Sequence, residues 1–110
     1  MLELMGKIKE LLEDKKAENV EIIDVSNSDY FVDGVVLATV MAGKHAFSLA
    51  EHLRENLKPL GERFLHIDSS DDWTIIDLGD IIVHLMSVEY RQKYKMEEFL
   101  SSFKSKKLGG

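Results

Sequence analysis

The segment from Trp73 to His84, WTIIDLGDIIVH, concentrates residue types that do chemistry: carboxylates at Asp77 and Asp80, a glycine between them and a histidine four positions further on. Carboxylates and an imidazole are ligands for divalent metals and general acids and bases in hydrolysis. Spacing decides between these uses. A strand rises ~3.3 Å per residue, so Asp80 and His84 lie roughly 13 Å apart along an extended segment, and metal bonds of about 2.0–2.6 Å cannot span that gap. Asp77 and Asp80 stay close across a turn, where they can hold a Mg²⁺ with waters or cap the turn by accepting backbone N–H bonds, the commoner role for Asp beside glycine. Gly79 sits between two runs of β-branched residues, which predicts a tight hairpin turn with positive φ at that glycine.

The remaining candidates are weaker. Asp71 and Asp72 are adjacent, so in an extended segment they point to opposite faces. His45 and His52 are seven apart on one helix, whereas helical metal pairs use i and i+4, and His66 stands alone. Ser48 falls mid-helix rather than in a nucleophile elbow. The chain has no cysteine, no Asp-x-Asp pair and no glycine-rich phosphate loop. It does not read as an enzyme, and the residues call for neither a cofactor nor a metal.

Around this segment, hydrophobic periodicity lays out the elements. Leu2, Met5, Ile8, Leu11 and Leu12 form an amphipathic helix ending near Lys16, and Val20–Val25 reads as a short strand. Val35–Val40 is apolar on both faces, which predicts a strand covered on both sides. Ala46, Leu49, Ala50, Leu53 and Leu57 mark a second helix stopped by Pro59 and Gly61. RFLHI reads as an edge strand, the hairpin follows, and Val88–Phe103 reads as a third helix, with residues 105–110 as a flexible tail after a single domain over residues 1–104. The fold class is α/β (α+β), a mixed sheet with helices packed on it.

With 110 residues, the chain has bulk for one modest core. Charge breaks every apolar run well short of the roughly 18 residues of a membrane span, so a soluble, cytoplasmic protein is expected. Twenty acidic against fourteen basic residues give a net charge of −6. That balance repels phosphate, disfavours direct DNA binding and suits a basic protein partner.

The residues Trp73-Thr-Ile-Ile-Asp77-Leu-Gly79-Asp80-Ile-Ile-Val83-His84, followed by Glu89-x-Arg91-x-x-Tyr94-x-Met96-Glu97, closely resemble the signature of the ribosomal silencing factor (Iojap-like) family. That signature reads W-x-x-x-D-[Y/L]-G-D-[V/I]-[V/I]-V-H and then E-x-R-x-x-Y-x-L-E, and the spacing agrees without a gap from Trp73 to Glu97. Upstream, Asp24-Val25, Asp33, Thr39, His45 and Ala50-Glu51 fall at family positions. The chain departs from the pattern at Gly34 and Val40, where the family has an aromatic and a glycine, and at His66-Ile67, where it has Glu-Gly. Leu100 stands where an aromatic closes the family's last helix.

The resemblance implies a mixed sheet flanked by helices, distantly similar to nucleotidyltransferases but without their catalytic acids. It implies a factor that binds the large ribosomal subunit through its ribosomal protein fourteen, blocks joining of the small subunit and represses translation under nutrient limitation. It also implies a homodimer when free. The partner-binding residues expected on this basis are Trp73, Asp77, Asp80, Arg91 and Tyr94, with Gly79 as the structural turn and Arg91 and Tyr94 extending one surface with Trp73 and Asp77. Two other readings stay open: a Mg²⁺-dependent nucleotidyltransferase-like enzyme using Asp77 and Asp80, and a dimeric interaction domain for another partner.

Overall fold

The computed structural model describes residues 2–26, 28–41 and 43–109, with side chains described as far as Ser102. Helix α1 (Leu2–Asp14) leads into strands β1 (Glu18–Asp24) and β2 (Gly34–Thr39), then helix α2 (Gly43–Leu57) and one 3₁₀ turn (Lys58–Leu60). Strands β3 (His66–Ser69), β4 (Trp73–Asp77) and β5 (Ile81–Met86) follow, and helices α3 (Val88–Tyr94) and α4 (Met96–Gly109) close the chain. The five strands form one sheet in the order β1-β2-β5-β4-β3. Only the central β2–β5 pair is parallel, from Gly34 beside Ile81 to Thr39 beside Met86, so the sheet is mixed as expected.

Alternation along the strands sorts side chains onto two faces. One face carries Val36, Ala38, Val83, Leu85 and Ile76, which pack with Met5, Ile8 and Leu12 of α1 and with Leu49, Leu53 and Leu57 of α2. The other carries Ile23, Val35, Leu37, Ile82 and Met86, packed with Leu100, Met96 and Tyr90 from α3 and α4. Strands β2 and β5 are buried at every position, as the two-sided apolar run Val35–Val40 demands.

Two elements differ from their sequence expectation. The edge strand begins at His66 and runs to Ser69, displaced toward the hairpin from RFLHI. Its register explains this: Ser69 pairs with Thr74 and His66 with Asp77, so β3 is defined by pairing with β4 and not by its own apolar content. The last helix is two helices. Lys95 takes a left-handed conformation (φ 47°) and its N–H donates to the Arg91 carbonyl, which ends α3 and lets α4 start at Met96 in a new direction. The backbone then stays helical to Gly109, through residues 105–109 that the sequence marks as a tail.

Candidate partner-binding face

The hairpin behaves as its turn chemistry requires. Gly79 sits at φ +97°, and the Gly79 N–H donates to Asp77 Oδ1 at 2.8 Å, so Asp77 closes the turn through its side chain. Asp80 staples the opposite strand with its backbone: its carbonyl accepts from the N–H groups of Asp33 (2.9 Å) and Gly34 (3.1 Å), while its side chain is exposed. Among the described residues, no three His, Cys, Asp or Glu side chains gather in a way that would hold a metal ion.

The register of the sheet places further residues on the same face. Glu21, Leu37, His84, Ile75 and Asp68 form one row across the five strands. The neighbouring row is Ile23, Val35, Ile82, Asp77 and His66. On the other side, Met86 stands opposite Trp73. Strand β4 turns Thr74 and Ile76 into the α2-covered core and leaves Trp73, Ile75 and Asp77 half-buried on this second face. Beyond them, His66 and Asp68 of the edge strand are exposed. The result is a half-open apolar strip, Trp73 and Ile75, edged by Asp77, Asp68 and His66.

His84 lies at the inner margin of this strip. It is 7% exposed, Nε2 is buried with no hydrogen-bond partner, and the Tyr90 ring centroid is 6.1 Å away. Loss of water around the ring disfavours the imidazolium and lowers its pKa to about 4, so the ring is neutral at neutral pH.

Tyr94 is 52% exposed, its ring tilted by 42° against Tyr90 at a centroid distance of 4.6 Å. Phe99 and Phe31 form a separate exposed aromatic band, joined through Tyr30 at centroid distances of 6.1 Å and 4.6 Å respectively. Sequence reasoning missed this band, because Phe31 lies in a loop and Phe99 in an apolar pattern that reads as core-facing.

The structure separates Arg91 from the other expected residues. Arg91 is 8% exposed and turns inward, with Nε donating to Glu97 at 2.6 Å and Nη1 to the Asn19 carbonyl (2.7 Å) and Thr39 Oγ1 (3.0 Å). It ties α3 to α4, β1 and β2, so it does not extend a surface with Trp73 and Asp77. On a continuous helix, residues six apart project in widely different directions. The break at Lys95 is what brings Glu97 back onto Arg91. Trp73 and Asp77 share a face but stand at opposite ends of β4, roughly 13 Å apart at ~3.3 Å per residue.

His45, by contrast, is a structural bridge: Nδ1 accepts from the Met41 N–H at 3.1 Å and Nε2 reaches the Lys15 carbonyl at 2.7 Å. This joins the end of α1 to the start of α2.

The family model described as "ribosomal silencing factor during starvation" matches residues 1–108. The chain belongs to this family. A ribosomal silencing factor of Treponema pallidum is 31% identical over 93 residues, 82% of this chain and 83% of its own length. An Iojap-related mitochondrial protein of Arabidopsis thaliana is 28% identical over 104 residues, 89% of this chain but 56% of its own length. A mouse protein named for mitochondrial assembly of the ribosomal large subunit is 26% identical over 93 residues, 80% of this chain but 41% of its own length. A crystal structure of a Chromobacterium violaceum protein superimposes with a TM-score of 0.81 at 25% identity, covering 92% of this chain and 87% of that one. These matches place the chain among ribosomal silencing factors, which are regulatory proteins, and the mixed five-stranded α/β fold is theirs.

Proposed function

We propose that this silencing factor docks on the large ribosomal subunit through ribosomal protein fourteen and occupies ground that the small subunit needs for joining. The carrying observation is the half-open strip of Trp73 and Ile75 on β4, edged by Asp77 and Asp68. A half-buried tryptophan with carboxylates nearby is a pattern found at protein interfaces, and carboxylates on a body of net charge −6 steer a basic partner inward. Steric exclusion needs no reaction, only a footprint on a surface that the small subunit must occupy. Asp80 is exposed at the hairpin tip beside Leu4 and Ile81, on the α1 side of the sheet, and adds to the acidic surface outside the strip. Arg91 is buried and holds α3 to α4, β1 and β2, and the exposed aromatics Tyr94, Phe31 and Phe99 we assign to pairing of two copies in the free cytoplasmic protein.

Co-sedimentation with purified large subunits, followed by addition of small subunits, tests the reading. Trp73→Ala is expected to weaken binding by about 2 kcal/mol or more and to restore subunit joining, while keeping a cooperative melt. Wild-type protein that leaves subunit joining intact at saturating occupancy refutes the mechanism. Loss of the melt in Trp73→Ala moves Trp73 from interface to core.

A further inference from the structure

A cavity of about 340 Å³ opens where β1, β2, α3 and α4 meet, lined by Asn19, Glu21, Thr39, Val88, Arg91 and Glu97 among others. It lies apart from the Trp73 strip, and three observations mark it. First, the guanidinium of the lining residue Arg91 is buried and immobilised: among the described residues, Nε and Nη1 carry its three hydrogen bonds, and none is made by Nη2. Second, the wall is built on irregular backbone. The β1–β2 register shifts between Glu18 and Glu21, and Asn19 takes φ 50°, a left-handed conformation that costs a non-glycine residue of order 1 kcal/mol. That backbone is held by the bond from Arg91 to the Asn19 carbonyl. Third, the charges in the wall are of both signs. Glu21 is exposed and Glu97 is about half exposed, with Oε1 engaged by Arg91.

This charge pattern selects a ligand class. A simple anion meeting Arg91 also meets two carboxylates, and a simple cation meeting the carboxylates also meets the fixed guanidinium. A small zwitterion satisfies both. We propose that the cavity binds a free α-amino acid, its carboxylate on Arg91 Nη2 and its ammonium shared by Glu21 and Glu97, with a small aliphatic side chain against Val88. Charge-assisted hydrogen bonds of this kind are about twice as strong as neutral ones, and a pre-held guanidinium spends little further entropy in forming them. Val88 is 50% exposed at the rim, an apolar surface that a Leu or Val side chain would cover.

The test uses the isolated full chain, so its outcome is independent of ribosome docking. Isotope-labelled protein is titrated with L-leucine, L-valine and L-alanine to about 10 mM, the weak end of specific binding, and amide shifts are followed by NMR. Saturable shifts centred on Asn19, Thr39 and Arg91 are expected. N-acetyl-L-leucine, L-leucinamide, isovalerate and isoamylamine, each lacking one charge, should bind at least about tenfold more weakly, the scale of one charge-assisted hydrogen bond. Glu21→Gln, at an exposed position, should weaken leucine binding by a similar factor without lowering the melting temperature. Isovalerate or isoamylamine binding as tightly as leucine overturns the proposal in favour of a plain ion site. Absence of saturable shifts, shifts centred elsewhere, or unchanged affinity in Glu21→Gln overturns it as well.

Discussion

Replacing Arg91 by methionine keeps the apolar stem and removes the guanidinium, and the contacts then set the cost. The Asn19 carbonyl loses its Nη1 donor and Thr39, itself 5% exposed, loses the partner of its hydroxyl. Each bond contributes about 1 kcal/mol, with more at stake at the buried Thr39 hydroxyl than at the part-buried Asn19 carbonyl, which water can reach. The Nε–Glu97 ion pair adds less than its 2.6 Å length suggests, because the Glu97 side chain is 47% exposed and water replaces the lost donor. The total is about 3 kcal/mol, roughly a 150-fold shift in the folding equilibrium. Glu97→Gln keeps an acceptor for Nε and should cost under about 1 kcal/mol. Urea melts at neutral pH measure both. The reasoning fails if Arg91→Met melts within about 0.5 kcal/mol of wild type, or if Glu97→Gln costs as much as Arg91→Met. Binding to large subunits, corrected for the folded fraction, should be unchanged in Arg91→Met, since the guanidinium is buried against Asn19, Thr39 and Glu97 and offers no exposed contact to a partner.

His84 gives the fold a pH dependence of known sign. Its folded pKa of about 4 lies below the ordinary 6.5, so the unfolded chain binds the extra proton and the stability present above pH 6.5 is lost as pH falls toward 4. The loss approaches about 3 kcal/mol, and denaturant melts of His84→Leu should lack this slope; a parallel pH profile in the variant places the effect elsewhere. At the hairpin, Gly79→Val forces a β-branched residue to φ +97° and should cost at least about 2 kcal/mol. The added Cβ meets Leu65 Cδ1 at an ordinary 3.5 Å, so the backbone is the cause. Gly79→Ala costing almost nothing in a thermal melt would show that the turn relaxes.

The elements that announced themselves in the sequence did so through local chemistry. Gly79 between branched runs specified the hairpin, Pro59 and Gly61 stopped α2, and the apolar Val35–Val40 run declared a strand covered on both faces. The features that stayed hidden depend on contacts distant along the chain or on unusual backbone. Lys95 carries no glycine signal for its left-handed conformation, so α3 and α4 read as one helix and Arg91 and Tyr94 as one surface. The partners of Arg91 come from Asn19 and Thr39, and no spacing rule connects residues so far apart. The proposed docking strip was legible in part: Trp73 and Asp77 do share a half-open face, but which face of β4 stays open is decided by where α2 and α4 land.

The single parallel pair at the centre of the sheet also bears on how the chain reaches this fold. β1–β2 is one antiparallel hairpin and β3–β4–β5 a local meander, and each closes short loops. They join only along β2–β5, where Gly34–Thr39 meet Ile81–Met86, nearly half the chain away. Closing so long a loop costs entropy before any contact compensates, and such pairings form late. The two sub-sheets are therefore expected to form first and to zip together along β2, with the α2 crossover as the tether. During synthesis on the ribosome, the β1–β2 hairpin emerges with its inner edge bare until β5 has been made. The completed protein is then set to return, as a regulator, to the kind of particle that held that edge open.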